Sequence, residues 1–506
     1  MPSSTSVAQL QDTPDARAAV ATLVERARAA QAEYESYDQA RVDEVVTAVG
    51  WALVQPDRNR QISELAVETT GLGNVDDKIT KNRRKTMGLL RDLQGAKSVG
   101  VIQELPELGL VEIARPVGVV GAVVPSTNPA ATPTNKTINA LKGRNAIILA
   151  PSPKGQAACT LLLEFIHAEL DRVGAPRDLV QQLPTPVSKA TTYELMNQVD
   201  LIVVTGSQNN VRSAYSSGTP AVGVGAGNVP VIIDDTADLD DAACKITASK
   251  TFDNATSCSS ENSLVILDGV YDDAIAALEG SGGVMLTEAE KQQLEAAMWE
   301  NGNLSRHIIA RRAPEIAQRV GLSRPELQSA TFFMVEEQHV GEEYPFSGEK
   351  LSPVLAVYRA KDFEAAFDQT RCLLDHQGKG HSCGIHTHDD AHVQRLGLEM
   401  PVCRVIVNQA HAFANGGNFD NGLPFSLSMG CGTWGQNSIS DNMNYRHYLN
   451  ITRIARTIPS NEPSMDDLFE HAVNRATQEG LLHSGDLVVI TAGAPLGISG
   501  TTNLLK

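Results

Sequence analysis

The stretch NAIILAP at residues 145–151, followed by QAACTLLLEFIHAEL at 156–170, decides the fold of this chain. An unbroken apolar run of strand length, closed by proline, reads as a strand covered on both faces, and the longer run after it has helical periodicity. The pair has counterparts on either side. Upstream stands VGVVGAVVP at 117–125; downstream DLIVVTGS at 200–207 leads to a helix expected from about Asn210, and then comes VPVIID at 229–234. Strands alternating with helices at this spacing predict an α/β fold with a doubly wound, mostly parallel sheet.

Outward from this centre the pattern changes. Residues 17–50 place Ala, Leu, Val and Tyr at helical spacing among Glu and Arg, predicting one amphipathic helix, and helical patterning continues to about Leu93. VIQEL at 101–105 and LVEIARP at 110–116 are β-rich. A second α/β stretch, about Leu239 to Thr433, contains the strand-like runs SLVIL, HIIARR, KLSPVLAVY, SCGIHT and CRVIVNQ. From about Pro459 to Lys506 the pattern is an amphipathic helix and a short β unit, GDLVVITAG.

A length of 506 residues predicts two to four domains, and a net charge of -18 argues against a nucleic-acid surface, which needs a basic stripe. No apolar run reaches the length of a membrane span, and residues 1–15 are polar and acidic, unlike a secretory signal. Seven scattered cysteines, an odd count without framework spacing, fit reduced thiols in the cytoplasm.

Five short motifs carry candidate chemistry. In TFDNATSCSSENS, 251–263, Cys258 sits among small polar residues between a helix and a strand. A lone cysteine is more often packed core, but a core thiol usually has apolar neighbours, and a thiol among donors is a candidate nucleophile. In VPSTNPAATPTNK, 124–136, Asn128 follows a strand, and a fixed amide there is either an ordinary turn residue or an oxyanion donor. VVTGS, 203–207, puts Gly206 between a strand and a helix start, where a backbone can approach a ligand closely. GVGAGNVP, 223–230, is glycine-rich but leads into a strand and lacks the dinucleotide fingerprint. GEKLSPVLAVY, 348–358, holds Glu349 four residues before Pro353, where a carboxylate either faces solvent or accepts ribose hydroxyls.

Taken together and in chain order, the Asn128 loop, the TGS turn, the glycine-rich strand entry, Cys258 and Glu349-x-x-x-Pro353, the motifs resemble the aldehyde dehydrogenase superfamily over about residues 17–456. PSTNP, AYSSGTPAVGVGAGNVPVIID, EKLSPVLAVY, GKGHSCGIHT and LSMGCGTWGQNSIS are similar to its CoA-acylating branch: the aldehyde-oxidising half of bifunctional alcohol/aldehyde dehydrogenases, and the acylating acetaldehyde, succinate-semialdehyde and sulfoacetaldehyde enzymes. The resemblance implies a doubly wound cofactor domain at 1–230 with oligomerisation strands near 105–116, and an α/β catalytic domain at 231–433. It also implies a return to the cofactor domain at 434–458 and a homo-oligomer in which strands extend a sheet across the subunit interface. Cys258 is then the nucleophile and Asn128, with the Cys258 backbone N–H, the oxyanion site. Pro125, Ser126, Thr127, Ser152, Lys154, Thr205, Gly206, Ser207, Gly225, Gly227 and Glu349 would hold NAD or NADP.

Two departures from hydrolytic relatives sharpen this expectation. Their water-activating Glu-Leu-Gly-Gly is matched by Val224-Gly225-Ala226-Gly227, without a carboxylate, so a thioester on Cys258 would await coenzyme A rather than water. Their Lys-Pro-Ser-Glu cofactor motif is matched by Ala150-Pro151-Ser152-Pro153 followed by Lys154, which leaves NAD and NADP both open. The expected substrate is a small anionic aldehyde: sulfoacetaldehyde first, from NQAHAFANGGNFDNGLPFSLSMGCGTWG and NYRHYLNIT, then acetaldehyde or succinate semialdehyde. The competing readings are a hydrolysing dehydrogenase and a non-catalytic assembly protein.

Three further features are set beside these. His376, His381, Cys383, His386 and His388 crowd one stretch, but strand alternation would split them between faces, and no metal is expected. Arg404, His411, Arg446 and His447 would make a cationic pocket if gathered, and surface or inter-subunit ion pairs if not. Residues 464–506 resemble the end of the pyruvate kinase C-terminal domain; without a kinase barrel, docking on the body or between subunits is expected for the 459–506 tail, ahead of phosphate binding at ISGTTN.

Overall fold

A computed structural model describes residues 14–458, 465–492 and 504–505. They fall into two compact units, one within Met1–Ile102 and Ala114–Thr452, the other within Gln103–Ile113 and Arg453–Lys506.

Four helices open the larger unit: α1 (Pro14–Tyr34), α2 (Gln39–Val54), α3 (Pro56–Thr70) and α4 (Val75–Leu93). The single helix expected over 17–50 is two. The Asp38 side chain accepts from the Arg41 N–H at 2.8 Å and starts a new helix, an N-cap that periodicity alone does not register. Gln55 and Pro56 start α3, Gly71 ends it at φ +68°, and Asn74 caps α4.

Strands β1 (Gly100–Leu105) and β2 (Leu110–Pro116) come next, then the first parallel sheet: β3 (Val119–Val124), β4 (Ala146–Pro151), β5 (Val180–Gln182), β6 (Leu201–Val204) and β7 (Ala221–Gly223), in spatial order β5-β4-β3-β6-β7. Every residue of β3 and β4 is buried, which accounts for the unbroken apolar runs. Helices α5 (Ala131–Lys142), α6 (Gln156–Arg172), α7 (Lys189–Gln198) and α8 (Gln208–Ser216) connect them. Val124 pairs with Pro151 and Val123 with Val204, so the loops after β3, β4 and β6 leave one carboxyl edge together.

The second parallel sheet has seven strands: β8 (Val229–Ile233), β9 (Glu261–Leu267), β10 (Gly283–Met285), β11 (Phe332–Glu336), β12 (Val354–Ala360), β13 (Cys383–His386) and β14 (Val405–Val407), in spatial order β10-β11-β12-β9-β8-β13-β14. Its strands send alternate residues to two cores. Val231, Leu264 and Ile266 meet one, Ile232, Val265 and Leu267 the other. Val229 pairs with Glu261 and Ala356 with Ser263, so the segments entering β8, β9 and β12 share an amino edge. HIIARR, expected as a strand, is instead a run of turns leading into the helix Ala313–Val320. Pro314 at the start of that helix and an amphipathic APEIAQRV set the local structure there.

Strand β15 (Leu449–Ala455) forms a three-stranded sheet with β1 and β2, in the order β1-β2-β15. Within the smaller unit Arg456 N–H donates to Gly109 O at 2.8 Å, and Arg453 pairs with Glu112. The helix Met465–Gln478 is as expected, but among the described residues GDLVVITAG contributes only Thr491–Ala492 as strand, paired with Leu504–Leu505. ISGTTN lies outside the described residues. No helix among the described residues is long and apolar enough to cross a membrane.

Candidate active site

Cys258 lies in the turn that enters β9. The backbone before it is unusual: Asp253, Asn254 and Ala255 all have φ between +50° and +58°, a left-handed run held by buried polar contacts. The Asp253 N–H donates to Asp77 Oδ2 at 2.7 Å, Asn74 N–H donates to Asp253 Oδ1 at 3.0 Å, and Asn254 Nδ2 donates to Ala310 O at 3.1 Å. The turn is thereby fixed before any ligand arrives.

The glycine-rich entry to β8 packs on this turn. A Cβ at Gly227 would stand 2.2 Å from the Cys258 carbonyl oxygen and 2.8 Å from its Cβ; one at Gly225 would stand 2.6 Å from Cys431 Sγ. Gly225 and Gly227, expected at the cofactor, therefore face two cysteines. Their bareness lets Val224–Gly227 lie against Cys258, and that stretch carries no carboxylate. Cys431, unassigned from sequence, is buried, and its N–H donates to Asn437 Oδ1 at 2.9 Å.

The half-buried Cys258 thiol is pushed up to about 12, first by burial and then by the charges of Glu349 and Cys431. Ser259 and Arg404 pull the other way without prevailing. Resting surroundings thus favour the thiol, not the activated thiolate that the polar sequence suggested. Glu349 itself is raised to about 7 by burial, against the attraction of Lys250 and Lys350. The Lys350 N–H donates to Asn262 Oδ1 at 3.0 Å, which ties the Glu349 loop to β9.

Asn128 arrives from the carboxyl edge of the first sheet. Lys81 of α4 donates to its Oδ1 at 3.0 Å, and among the described residues its amide N–H groups have no acceptor. Lys81 also bonds Asp253 Oδ2 and Thr256 Oγ1, while Lys78 donates to Thr127 O at 3.2 Å and Asp253 Oδ2 at 3.1 Å. Burial opposes the Asp253 charge, yet the two lysines outweigh it and hold the carboxyl below its ordinary value. One buried carboxylate and two ammonium groups thus join the Asn128 loop to the Cys258 turn. A lysine on Oδ1 points the amide as a donor.

The remaining expected residues line the same carboxyl edge. The Ser152 side chain caps the short turn Pro153–Gly155, Lys154 is exposed, and Thr205 Oγ1 and Ser428 Oγ hydrogen-bond at 2.6 Å. Ser207 caps α8, and Pro125, Ser126 and Thr127 are half-buried in the loop after β3. At Gly206 a Cβ would meet nothing closer than 3.8 Å. No protein atom demands glycine there, and an open cradle at a helix start fits a dinucleotide lying against the backbone.

The cationic quartet is only partly assembled. Arg404, Arg446 and His447 line a cavity of about 340 Å³ with Asp441 and Asn444. His411 is elsewhere, buried, with Nδ1 2.9 Å from Ser259 O. Arg404 is buried and pinned, donating to the carbonyls of His381 and Gly430 at 2.8 Å each. Among the described residues no group of three or more His, Cys, Asp or Glu is placed to hold a metal.

The family model for the aldehyde dehydrogenase family matches residues 3–281, and a second, for the pyruvate kinase alpha/beta domain, matches residues 437–506. The chain belongs to the aldehyde dehydrogenase family. It is 59% identical over 469 residues, 93% of this chain and 95% of the relative, to the sulfoacetaldehyde dehydrogenase (acylating) of Cupriavidus necator. It is 43% identical to the protein of the same description from Bilophila wadsworthia, over 86% of this chain and 94% of that one. A solved acetylating aldehyde dehydrogenase from Geobacillus thermoglucosidasius superposes with a TM-score of 0.85 at 36% identity, over 89% of this chain and 99% of the other. The expected α/β, aldehyde dehydrogenase-like fold is thereby established. The pyruvate-kinase-like match begins upstream of the 464 boundary read from sequence and overlaps β15.

Proposed function

We propose that this protein oxidises sulfoacetaldehyde to its CoA thioester with NAD or NADP, using Cys258 as nucleophile. One observation carries the acylating reading: the Val224–Gly227 stretch against Cys258 offers no carboxylate to activate water. The identity to acylating sulfoacetaldehyde dehydrogenases supports the substrate.

In this reading the Cys258 sulfur adds to the aldehyde carbon. The Asn128 amide, oriented by Lys81, and the Cys258 backbone N–H stabilise the oxyanion. The bound nicotinamide supplies the hydride acceptor, with Gly206, Ser207, Thr205 and Ser152 as its cradle and Glu349 at its ribose. The sulfur then carries an acyl thioester, which persists until the CoA thiol attacks and Cys258 leaves. The protein works as a cytoplasmic homo-oligomer.

Nicotinamide absorbance with sulfoacetaldehyde, with and without CoA, tests this, together with mass spectrometry of the thioester product. CoA-dependent turnover that Cys258→Ala abolishes is the expected result. Equal turnover without CoA would falsify the acylating step, and full activity in Cys258→Ala would remove the nucleophile.

A further inference from the structure

The cations of α4 do not stop at Lys81. Lys78, Lys81 and Lys85, spaced three and four residues apart, share one helix face. Lys78 and Lys81 are neutralised by Asp253. Lys85 forms no ion pair among the described residues. Its Nζ donates to Gly416 O at 2.8 Å and Gly417 O at 3.2 Å and lies 5.4 Å from the Phe425 ring centre, which leaves one N–H of three unengaged. The nearby Asp92 is occupied by Arg91 at 2.9 Å and by the Phe425 N–H at 2.6 Å. Arg84, next in sequence, also lacks a carboxylate partner among the described residues: it bonds Asn418 Oδ1 and lies 5.2 Å from the Phe413 ring and 5.7 Å from the Phe419 ring.

Two chains of contacts lead from these cations toward the reacting groups. Lys81, one helical turn or about 6 Å along the axis from Lys85, holds Asn128. The 411–418 loop that receives Arg84 and Lys85 is tied to the neighbour of Cys258: Asn415 Nδ2 donates to Ser259 Oγ at 2.9 Å, and His411 Nδ1 lies 2.9 Å from Ser259 O. Phe252, the first residue after α9 (Leu239–Thr251), packs tilted against Phe413 with ring centres 4.5 Å apart. Arg84 and Lys85 are half-buried, and burial first, then Arg84 and Lys81, lower Lys85 to about 7. Basic groups so placed, with carbonyl and aromatic partners but no acid among the described residues, are complementary to an anion that arrives with the substrate and restores the charge.

We propose that Lys85, assisted by Arg84, is the subsite that binds the sulfonate of the aldehyde and so sets substrate choice. A sulfonate keeps its charge at every working pH and presents three acceptor oxygens to an ammonium and a guanidinium. The proposal rests on the sulfoacetaldehyde reading above.

The test is steady-state kinetics of wild type, Lys85→Met, Lys85→Arg and Arg84→Gln on sulfoacetaldehyde and on propionaldehyde, which carries an uncharged methyl in place of the sulfonate. CoA and nicotinamide are varied in separate arms. Loss of one charged contact predicts that the kcat/KM ratio, sulfoacetaldehyde over propionaldehyde, falls about tenfold to a hundredfold in Lys85→Met. The fall should reside mainly in KM, be smaller in Arg84→Gln and be largely restored in Lys85→Arg. Ethanesulfonate, which has no carbonyl, should inhibit wild type competitively against propionaldehyde and inhibit the two uncharged variants more weakly. An equal loss on both aldehydes would make Lys85 merely structural, and a selective rise in the KM of CoA or nicotinamide would give the anion site to that ligand; either overturns the proposal. If Lys85→Met does not fold, Arg84→Gln and ethanesulfonate still decide. Wild type that ignores sulfoacetaldehyde but turns over propionaldehyde overturns the substrate reading itself, whereas active wild type with unselective variants overturns only the subsite.

Discussion

At the scale of single residues, two glycines of similar appearance do different things. Gly227 is bare because Cys258 occupies the space, and Gly206 is bare although nothing occupies it. Gly227→Ala should therefore displace the Cys258 turn, costing about 1–3 kcal/mol of stability by overpacking and most of the turnover. Gly206→Ala should melt with the wild-type protein yet raise the KM for nicotinamide severalfold; thermal denaturation alongside cofactor titration separates the two. The Cys258 thiol offers a sign to check. Because burial first, and Glu349 next, push it up to about 12, its thiolate fraction in the free protein rises about tenfold per pH unit across the working range. Iodoacetamide labelling of Cys258 should climb with that slope from pH 7 to 10, and Glu349→Gln should shift the profile toward lower pH. A plateau below pH 8 would mean an already activated thiol.

At the scale of elements, α4 links the two sheets. It presents Lys78 and Lys81 to Asp253, which bonds the turn before Cys258, and Lys81 to Asn128, which follows β3. Removing the shared carboxylate leaves two ammonium groups buried without an acid. Asp253→Ala should cost about 3–5 kcal/mol, read by denaturant titration. Lys81→Met, which retains Asp253–Lys78, should destabilise less and lower kcat about tenfold to a hundredfold through a misdirected Asn128, measured with saturating aldehyde and CoA. Neither lysine was legible as functional in the sequence. A helix bearing charged residues reads as a solvated face, and only packing shows that these ammonium groups point inward.

At the scale of the whole molecule, the pyruvate-kinase-like segment is the departure from an ordinary family member. Its match covers residues 437–506, so it begins in the irregular segment before β15, takes in that strand and ends in the tail. Leu481, Leu487 and Val489 are exposed, apolar surface that a docked tail would cover in an assembly. Deleting residues 459–506 should lower the particle mass by more than the mass of the tails themselves, in light scattering, and lower activity with it. Unchanged stoichiometry and activity would remove the docking role from the tail.

The order of Asn128, Gly206, Gly225, Gly227, Cys258 and Glu349 along the chain was enough to show the family resemblance, and the fold then gathers them at strand ends: the first two leave the carboxyl edge of the first sheet and the last four enter the amino edge of the second. The missing carboxylate at 224–227 was equally legible, since it is a matter of residue type. Local signals failed where a cap or a turn overrode periodicity, as at Asp38 and in HIIARR. The tertiary structure alone decided what the charges do. Lys81, Asp253 and Lys85 are far from Cys258 or Asn128 in sequence or unmarked beside them, and their effect depends on burial and on which partner each one meets, neither of which is written in residue order.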